Sequence, residues 1–394
     1  MDIDTLRADT PGCAQRIHLN NAGAALPPKP VIRAVQEHFA LEFEIGGYEA
    51  ADARADAIEE AYHAVGALVG AAPRNIAFTE SATTSYAQAL TSIPFERGDV
   101  ILTTRNDYVS NQLQFLSLES RLGVRVRHAP DAPEGGVDVD AVERIIREAP
   151  PKVMCVTHVP TNSGLVQDVA AIGRICREHD VLYLVDACQS VGQMPVDVQA
   201  LGCDFLSATS RKFLRGPRGA GFLYVSDRVL ARGLAPLMID MHGAEWIDAA
   251  RYRLVDDAKR FETFEFAWGL VLGIAEAARY AQRVGLEAIE ARVRALADRL
   301  RRGLAEIDGV RVLDRGPELC GIVSAATAIE PRAIVLALRG RKINANSQSR
   351  PSALLDFDAK GVQASLRLSP HYYNTEDEID AALEALRGLL GGRE

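Results

Sequence analysis

Residues 181–225 read VLYLVDACQSVGQMPVDVQALGCDFLSATSRKFLRGPRGAGFLYV. Three short β-rich runs stand out in this stretch: Val181–Val185, Phe205–Ala208 and Gly221–Val225. The first ends in Asp186, followed by Ala187, Cys188 and Gln189. The second leads into Thr209-Ser210-Arg211-Lys212 and a glycine-rich turn, Gly216-Pro217-Arg218-Gly219-Ala220-Gly221. An acid and a lysine therefore stand just past the ends of two neighbouring strands. That edge is where open α/β sheets bind ligands.

Upstream, Ile76–Thr79, Val100–Thr104, Val124–His128 and Val153–His158 have the same β-rich character. Several of these runs are continuously apolar, which fits strands covered on both faces by helices. Helical spacing of apolar residues marks 30–44, 52–69 and 166–179, the last lying between two strands as a βαβ unit. These patterns predict one large α/β domain over 20–265 with a mainly parallel sheet. Beyond Phe266 the pattern changes. A long helical stretch, 268–305, breaks near Gly285. Short strands follow at Val310–Leu313, Ile322–Ala326 and Ser365–Ser369, with helices at Ala333–Arg339 and Glu376–Leu390. This predicts a smaller α+β domain over 266–394, with residues 1–19 packing nearby and a ligand site where the two meet.

A chain of 394 residues suits two domains. Its net charge of −9 argues against a nucleic-acid partner. The acidic N-terminus MDIDTLRADTPG has no apolar core and is not expected to act as a signal peptide. No apolar run is long enough to span a membrane. The six cysteines form no C-x-x-C pair and sit mostly in apolar runs, as buried reduced thiols of a cytoplasmic protein would. The eight histidines show no metal-binding spacing, so no metal is expected.

A partly buried lysine beside a strand-end acid suits pyridoxal 5′-phosphate (PLP). The amine bonds covalently to the cofactor, and the acid keeps its pyridine nitrogen protonated, which makes the ring a better electron sink. Thr209, Ser210 and Arg211 can serve the phosphate. So can Ser81-Ala82-Thr83-Thr84, a hydroxyl-rich turn that opens the helical run Ser85–Thr91 and offers free N–H groups.

VDACQSVG together with DFLSATSRKFLRGPRGAGFLYV resembles the PLP site of the class V aminotransferases, a group that includes cysteine desulfurases, isopenicillin N epimerase and kynureninase. The resemblance runs from His18-Leu19-Asn20-Asn21-Ala22-Gly23 to Arg367 and Asn374-Thr375. It implies the PLP-dependent transferase fold type I and a homodimer with sites at its interface. It assigns Lys212 to the cofactor linkage and Asp186 to the pyridine nitrogen. Gln189 falls to the ring hydroxyl, and Ala82, Thr83, Thr209 and Arg211 to the phosphate. Arg367 falls on the arginine that holds the substrate α-carboxylate, with Asn21 as a second substrate contact. A planar guanidinium suits that task because it takes a carboxylate in two parallel hydrogen bonds.

Departures from the family pattern bear on the reaction. Where relatives carry E-H-H-x-N, with a histidine over the cofactor ring, this chain has Asp107-Tyr108-Val109-Ser110-Asn111, which puts Val109 at the histidine position. Thr161, in His158-Val159-Pro160-Thr161, replaces an asparagine near the ring hydroxyl. Asn346–Ser352, which matches the desulfurase cysteine loop, contains no cysteine, so a persulfide route has no acceptor. Glu265 stands in Phe261–Phe266 where relatives have a threonine that reaches the partner's phosphate. Glu44–Ala50, Ser210-Arg211-Lys212 and Leu366–His371 resemble hercynylcysteine sulfoxide lyase. The expected activity is therefore a C–S bond-cleaving β-lyase acting on a cysteine-derived amino acid. Transamination and epimerisation share its Cα carbanion and are the alternatives. A PLP-binding regulator would need a nucleic-acid-binding extension, which is not expected of this acidic chain.

Overall fold

The computed structural model describes residues 1–391. A seven-stranded sheet forms its centre. From one edge to the other its strands are Arg125–Ala129, Val100–Thr104, Val153–Thr157, Leu182–Asp186, Phe205–Thr209, Gly221–Val225 and Ile76–Thr79. Only Gly221–Val225 runs against its neighbours. This is the expected α/β architecture with a mostly parallel sheet. Alternate side chains of the central strands feed two cores. Met154, Val156, Tyr183, Val185, Leu206 and Ala208 enter one, and Val153, Cys155, Leu182, Leu184 and Phe205 the other. Burial on both faces explains why these strands read as continuous apolar runs.

A second sheet of four antiparallel strands has the order Val310–Val312, Val323–Thr327, Ala364–Leu368, Asn346–Ser349. Helices Leu286–Ala305, Pro331–Gly340 and Glu376–Leu390 cover it, with Leu300, Leu304, Leu338, Leu383 and Leu386 in their shared core. The sequence reading places helix Trp268–Val284 on this side of a boundary at 265/266. Its buried residues Val271, Ile274 and Ala278 instead join the first core, against helices Lys29–Ile45 and Ala55–Val69. The following helix bridges the two: Ile289 and Val293 lie in the first core, and Leu296, Leu300 and Leu304 in the second.

The helix expected over 52–69 is two helices, Gly47–Ala53 and Ala55–Val69, with Arg54 between them. Gly46, at φ 104, ends helix Lys29–Ile45. A hairpin of Ala244–Asp248 and Arg251–Leu254 gave no strand signal, because its side chains are nearly all exposed.

The N-terminal segment is laced through the molecule. Ile17–His18 pairs with Ile343–Asn344, Asn20 bridges to Ser369, and the Ala25 amide donates to the Arg211 carbonyl at 2.8 Å. Close packing also sets the chain around Lys212. Gly192, at φ 92, lies so near that an added Cβ would stand 2.3 Å from the Leu214 nitrogen and 2.5 Å from the Phe213 carbonyl carbon. Only backbone movement could relieve that contact. Gly192→Ala is therefore expected to destabilise the fold by at least about 2 kcal/mol, from overpacking and a positive φ together. Denaturant unfolding of the cofactor-free protein measures this, and an unchanged midpoint would contradict the packing described.

Candidate active site

The C-terminal ends of the parallel strands meet at one edge, and the chemistry-bearing residues gather there. Asp186 is the last residue of its strand, in register with Thr157 on one side and Ser207 on the other. It is buried; Oδ1 accepts the Cys188 amide at 2.9 Å and Oδ2 accepts Asn111 Nδ2 at 3.1 Å. Lys212, three residues past strand Phe205–Thr209, is also buried. Burial lowers its pKa, the positive charges of Arg211 and Arg367 add to that, and Asp186 opposes it. An amine with a lowered pKa is more readily neutral and nucleophilic. Its Nζ lies 5.8 Å from the centre of the Tyr108 ring. Tyr108, and not Val109, is thus the aromatic residue facing the lysine. Val109 opens helix Val109–Leu122.

Helix Ala82–Thr91 starts on the same edge. Its cap, Ser81, accepts the Thr84 amide on its hydroxyl at 3.2 Å, so the Ala82 and Thr83 amides have no acceptor within the helix. Gly221 lets this helix start approach the sheet, since a Cβ there would stand 3.2 Å from the Ala82 nitrogen. Thr209 pairs with Gly221 in the ladder. Arg211 donates to the Gly23 carbonyl. Free amides, a hydroxyl and a guanidinium on these neighbouring segments suit a phosphate.

Thr161 ties the other side together. Its hydroxyl accepts Gln189 Nε2 at 3.0 Å and Arg367 Nη1 at 2.9 Å, and its carbonyl accepts Arg367 Nη1 at 2.8 Å. Asn20 Oδ1 accepts Arg367 Nη2 at 3.2 Å. Arg367 is 2% exposed, and burial pulls its pKa down to about 10. Its Nε and the Gln189 Oε1 are buried without a partner. Asn21, expected as a substrate contact, has its amide engaged inside the protein. Nδ2 donates to the carbonyls of His18 and Ser369, at 3.2 and 2.7 Å, and Oδ1 accepts the Tyr373 hydroxyl. Its neighbour Asn20 is the residue that reaches Arg367.

Two features escaped the sequence reading. Asp107 is buried at the end of the strand Val100–Thr104 and shares Asn111 with Asp186. His371, just past the strand that carries Arg367, bonds through Nε2 to the Phe213 carbonyl at 2.8 Å and so ties that strand to the lysine segment. The spacing Asp107-x-x-x-Asn111, one helical turn, is the only trace of the first in the sequence.

The donor set fits PLP: a buried lysine, a strand-end acid, an aromatic ring near the lysine, free helix-start amides, and unpartnered polar atoms on Gln189 and Arg367. Comparison with known proteins agrees. The family model for class-V aminotransferases matches residues 17–382. A probable cysteine desulfurase of Methanothermobacter thermautotrophicus is 30% identical, over 99% of both chains. The apo structure of a cysteine desulfurase from Thermococcus onnurineus superposes with a TM-score of 0.91 at 28% identity, covering 99% of this chain and 98% of that one. A C-DES variant with glycine covalently linked to its PLP cofactor has a TM-score of 0.84 at 25% identity, over 97% and 98% of the two chains. The chain belongs to the class-V aminotransferase family, PLP-dependent enzymes of fold type I.

Proposed function

We propose that this enzyme is a β-lyase that cleaves the Cβ–S bond of a cysteine-derived amino acid, in the manner of hercynylcysteine sulfoxide lyase. The observation that carries the reading is the segment Asn346–Ser352. Where desulfurases have a cysteine on a mobile loop, this segment is a strand of the small sheet followed by a single tight turn, pinned by two hydrogen bonds from Arg350 to Asp358. Of the six cysteines only Cys13 is even partly exposed, and burial pushes the Cys320 thiol up to about 11. The thiol beside Lys212, Cys188, is buried and pushed up by that burial, so it is held protonated, although two of the relatives named above are desulfurases.

When bound, PLP supplies the electron sink for charge left at Cα. The residues here do the rest. Asp186 holds the ring nitrogen, Gln189 faces the ring hydroxyl, and the Ala82 and Thr83 amides, Thr209 and Arg211 hold the phosphate. Tyr108 covers the ring beside Lys212. Arg367 has both Nη1 contacts fixed by Thr161, which leaves Nε and one Nη2 proton to grip the substrate carboxylate. A carboxylate held there would fix the orientation of Cα–H, and Lys212 in its neutral form would take that proton. The sulfur group would then leave from Cβ with the bonding electrons, and hydrolysis of the three-carbon remainder by water would give pyruvate and ammonia.

The functional unit is proposed as a homodimer. Leu237, Met238, Met241, Trp246 and Tyr252 are 59–84% exposed around the hairpin. Phe264, next to Glu265, lies 6.4 Å from Tyr48, and both rings are open to solvent. An apolar surface of this extent suits a second copy of the chain. In the single chain Glu265 is exposed, beside Phe264.

Three outcomes are expected. Borohydride reduction should fix the cofactor to one peptide, the one containing Lys212; label elsewhere would remove the centre of this reading. A cysteine S-conjugate supplied without any keto acid should give pyruvate and ammonia over many turnovers. A single stoichiometric burst that resumes only with a keto acid would make the enzyme an aminotransferase, and solvent exchange of the Cα proton with loss of chirality would make it an epimerase. In sedimentation the enzyme should be a dimer that Trp246→Glu weakens at least tenfold; a fully active monomer would rule out a shared site.

A further inference from the structure

Behind Asp186 lies a second buried carboxylate with no cation paired to it among the described residues. Asp107 is 6% exposed. Four donors converge on it: the Thr103 hydroxyl on Oδ2 at 2.7 Å, and on Oδ1 the Tyr108 amide at 2.6 Å, Asn111 Nδ2 at 3.0 Å and the Thr157 hydroxyl. Asn111 Nδ2 also donates to Asp186 Oδ2 at 3.1 Å. One amide group thus stands between two carboxylates and gives a proton to each. The other titratable groups near Asp107 are Tyr86 and Cys155, both pushed up by burial and therefore uncharged.

We propose that Asp107 is a positioning residue for Asp186: its buried negative charge, carried through the Asn111 amide, fixes the Asp186 carboxylate and strengthens its hold on the proton of the cofactor's ring nitrogen. The inference rests on the assignment of Asp186 to that nitrogen. The bond geometry admits little else. Asp107 is buried and held by four donors, which leaves it no surface ion pair. With Asn111 on Oδ2 and the Cys188 amide on Oδ1, Asp186 cannot turn without breaking a bond, and Asn111 is itself anchored to Asp107.

Burial raises the Asp107 carboxyl to about 6 against the pull of its donors, so it is ionised at neutral pH. The sign of the linkage follows. A carboxyl whose folded pKa lies above its unfolded value binds its proton more tightly when folded. Its charge therefore lowers stability as pH rises from about 4 to about 6, and that cost persists above this window.

The test reconstitutes the enzyme with cofactor carrying 15N at the ring nitrogen, whose NMR shift reports the proton there. Asp107→Asn keeps the shape, can still accept from Asn111, and removes the charge. The expected result is loss of the ring proton at a pH at least one unit below the native value. kcat should fall tenfold or more with KM within threefold, and the cofactor-free protein should melt no lower than native at pH 7.5. Asp107→Glu, which restores the charge, should recover at least half of the pH shift. A native ring-nitrogen titration in Asp107→Asn overturns the proposal. Asp186→Asn separates the two claims: if it moves the titration and Asp107→Asn does not, only the coupling is lost. If neither moves it, the assignment of Asp186 falls too. Should Asp107→Asn not fold, the unsubstituted protein decides, because coupling is reciprocal. With 13C in the aspartate carboxyls, one buried carboxyl should titrate near pH 6 without cofactor and at least half a unit lower with it. No cofactor-dependent carboxyl titration would overturn the inference.

Discussion

A guanidinium held in the interior without a counter-ion is the constraint around which this molecule is arranged. Removing a charge from water costs several kcal/mol unless partners replace the water. Arg301 shows the ordinary solution: it is buried and paired with Asp314 at 3.0 Å. Arg367 has no such partner among the described residues. Thr161 and Asn20 supply neutral acceptors, and Nε stays bare. To hold it there, the N-terminal segment must cross to the small sheet through Asn20, and the loop after Val153–Thr157 must present Thr161. The same hydroxyl then fixes Gln189, one turn beyond Asp186, so the two sheets share a single polar seam.

Arg215 makes the contrast sharper. It too is buried without a carboxylate, yet all sides of it are closed. Nε donates to the Leu26 carbonyl at 2.9 Å, Nη2 to Thr10 Oγ1 at 2.5 Å, and Nη1 to the Tyr372 hydroxyl; the Tyr373 ring lies 4.6 Å from its centre. That cation is consumed by structure and braces the chain after Lys212 against the N-terminus. One buried arginine is finished and the other is left open along one edge, facing the lysine's own electrostatic surroundings. An open, dry, positively charged edge is what a carboxylate ligand completes.

The parts of this arrangement that were legible in the sequence are those that a local pattern encodes. Strands buried on both faces are apolar throughout, so the central sheet could be read almost to the residue, and the ends of two strands delivered Asp186 and Lys212. Where burial is absent the signal vanishes: the hairpin Ala244–Leu254 alternates nothing because almost nothing in it is covered. The break at Arg54 lacks proline or glycine, so no local rule announces it. Asn21 and Asn20 are adjacent and chemically identical, and only the register of the bridge to Ser369 decides which amide turns inward and which reaches the arginine. Asp107 was in view as part of a motif, but the Asn111–Asp186 bond that links it to Asp186 joins positions 75 residues apart, which spacing cannot reveal.

Helix Leu286–Ala305 sets its first turns in the core of the large sheet and its later turns in that of the small one. A rod embedded at both ends transmits torque. Any swing of the small sheet would have to bend that helix or drag the large core with it, and the Thr161 seam would shear. Within one chain the two sheets are therefore coupled through this helix, and a replacement in its middle turns, between Val293 and Leu296, would be felt in both cores.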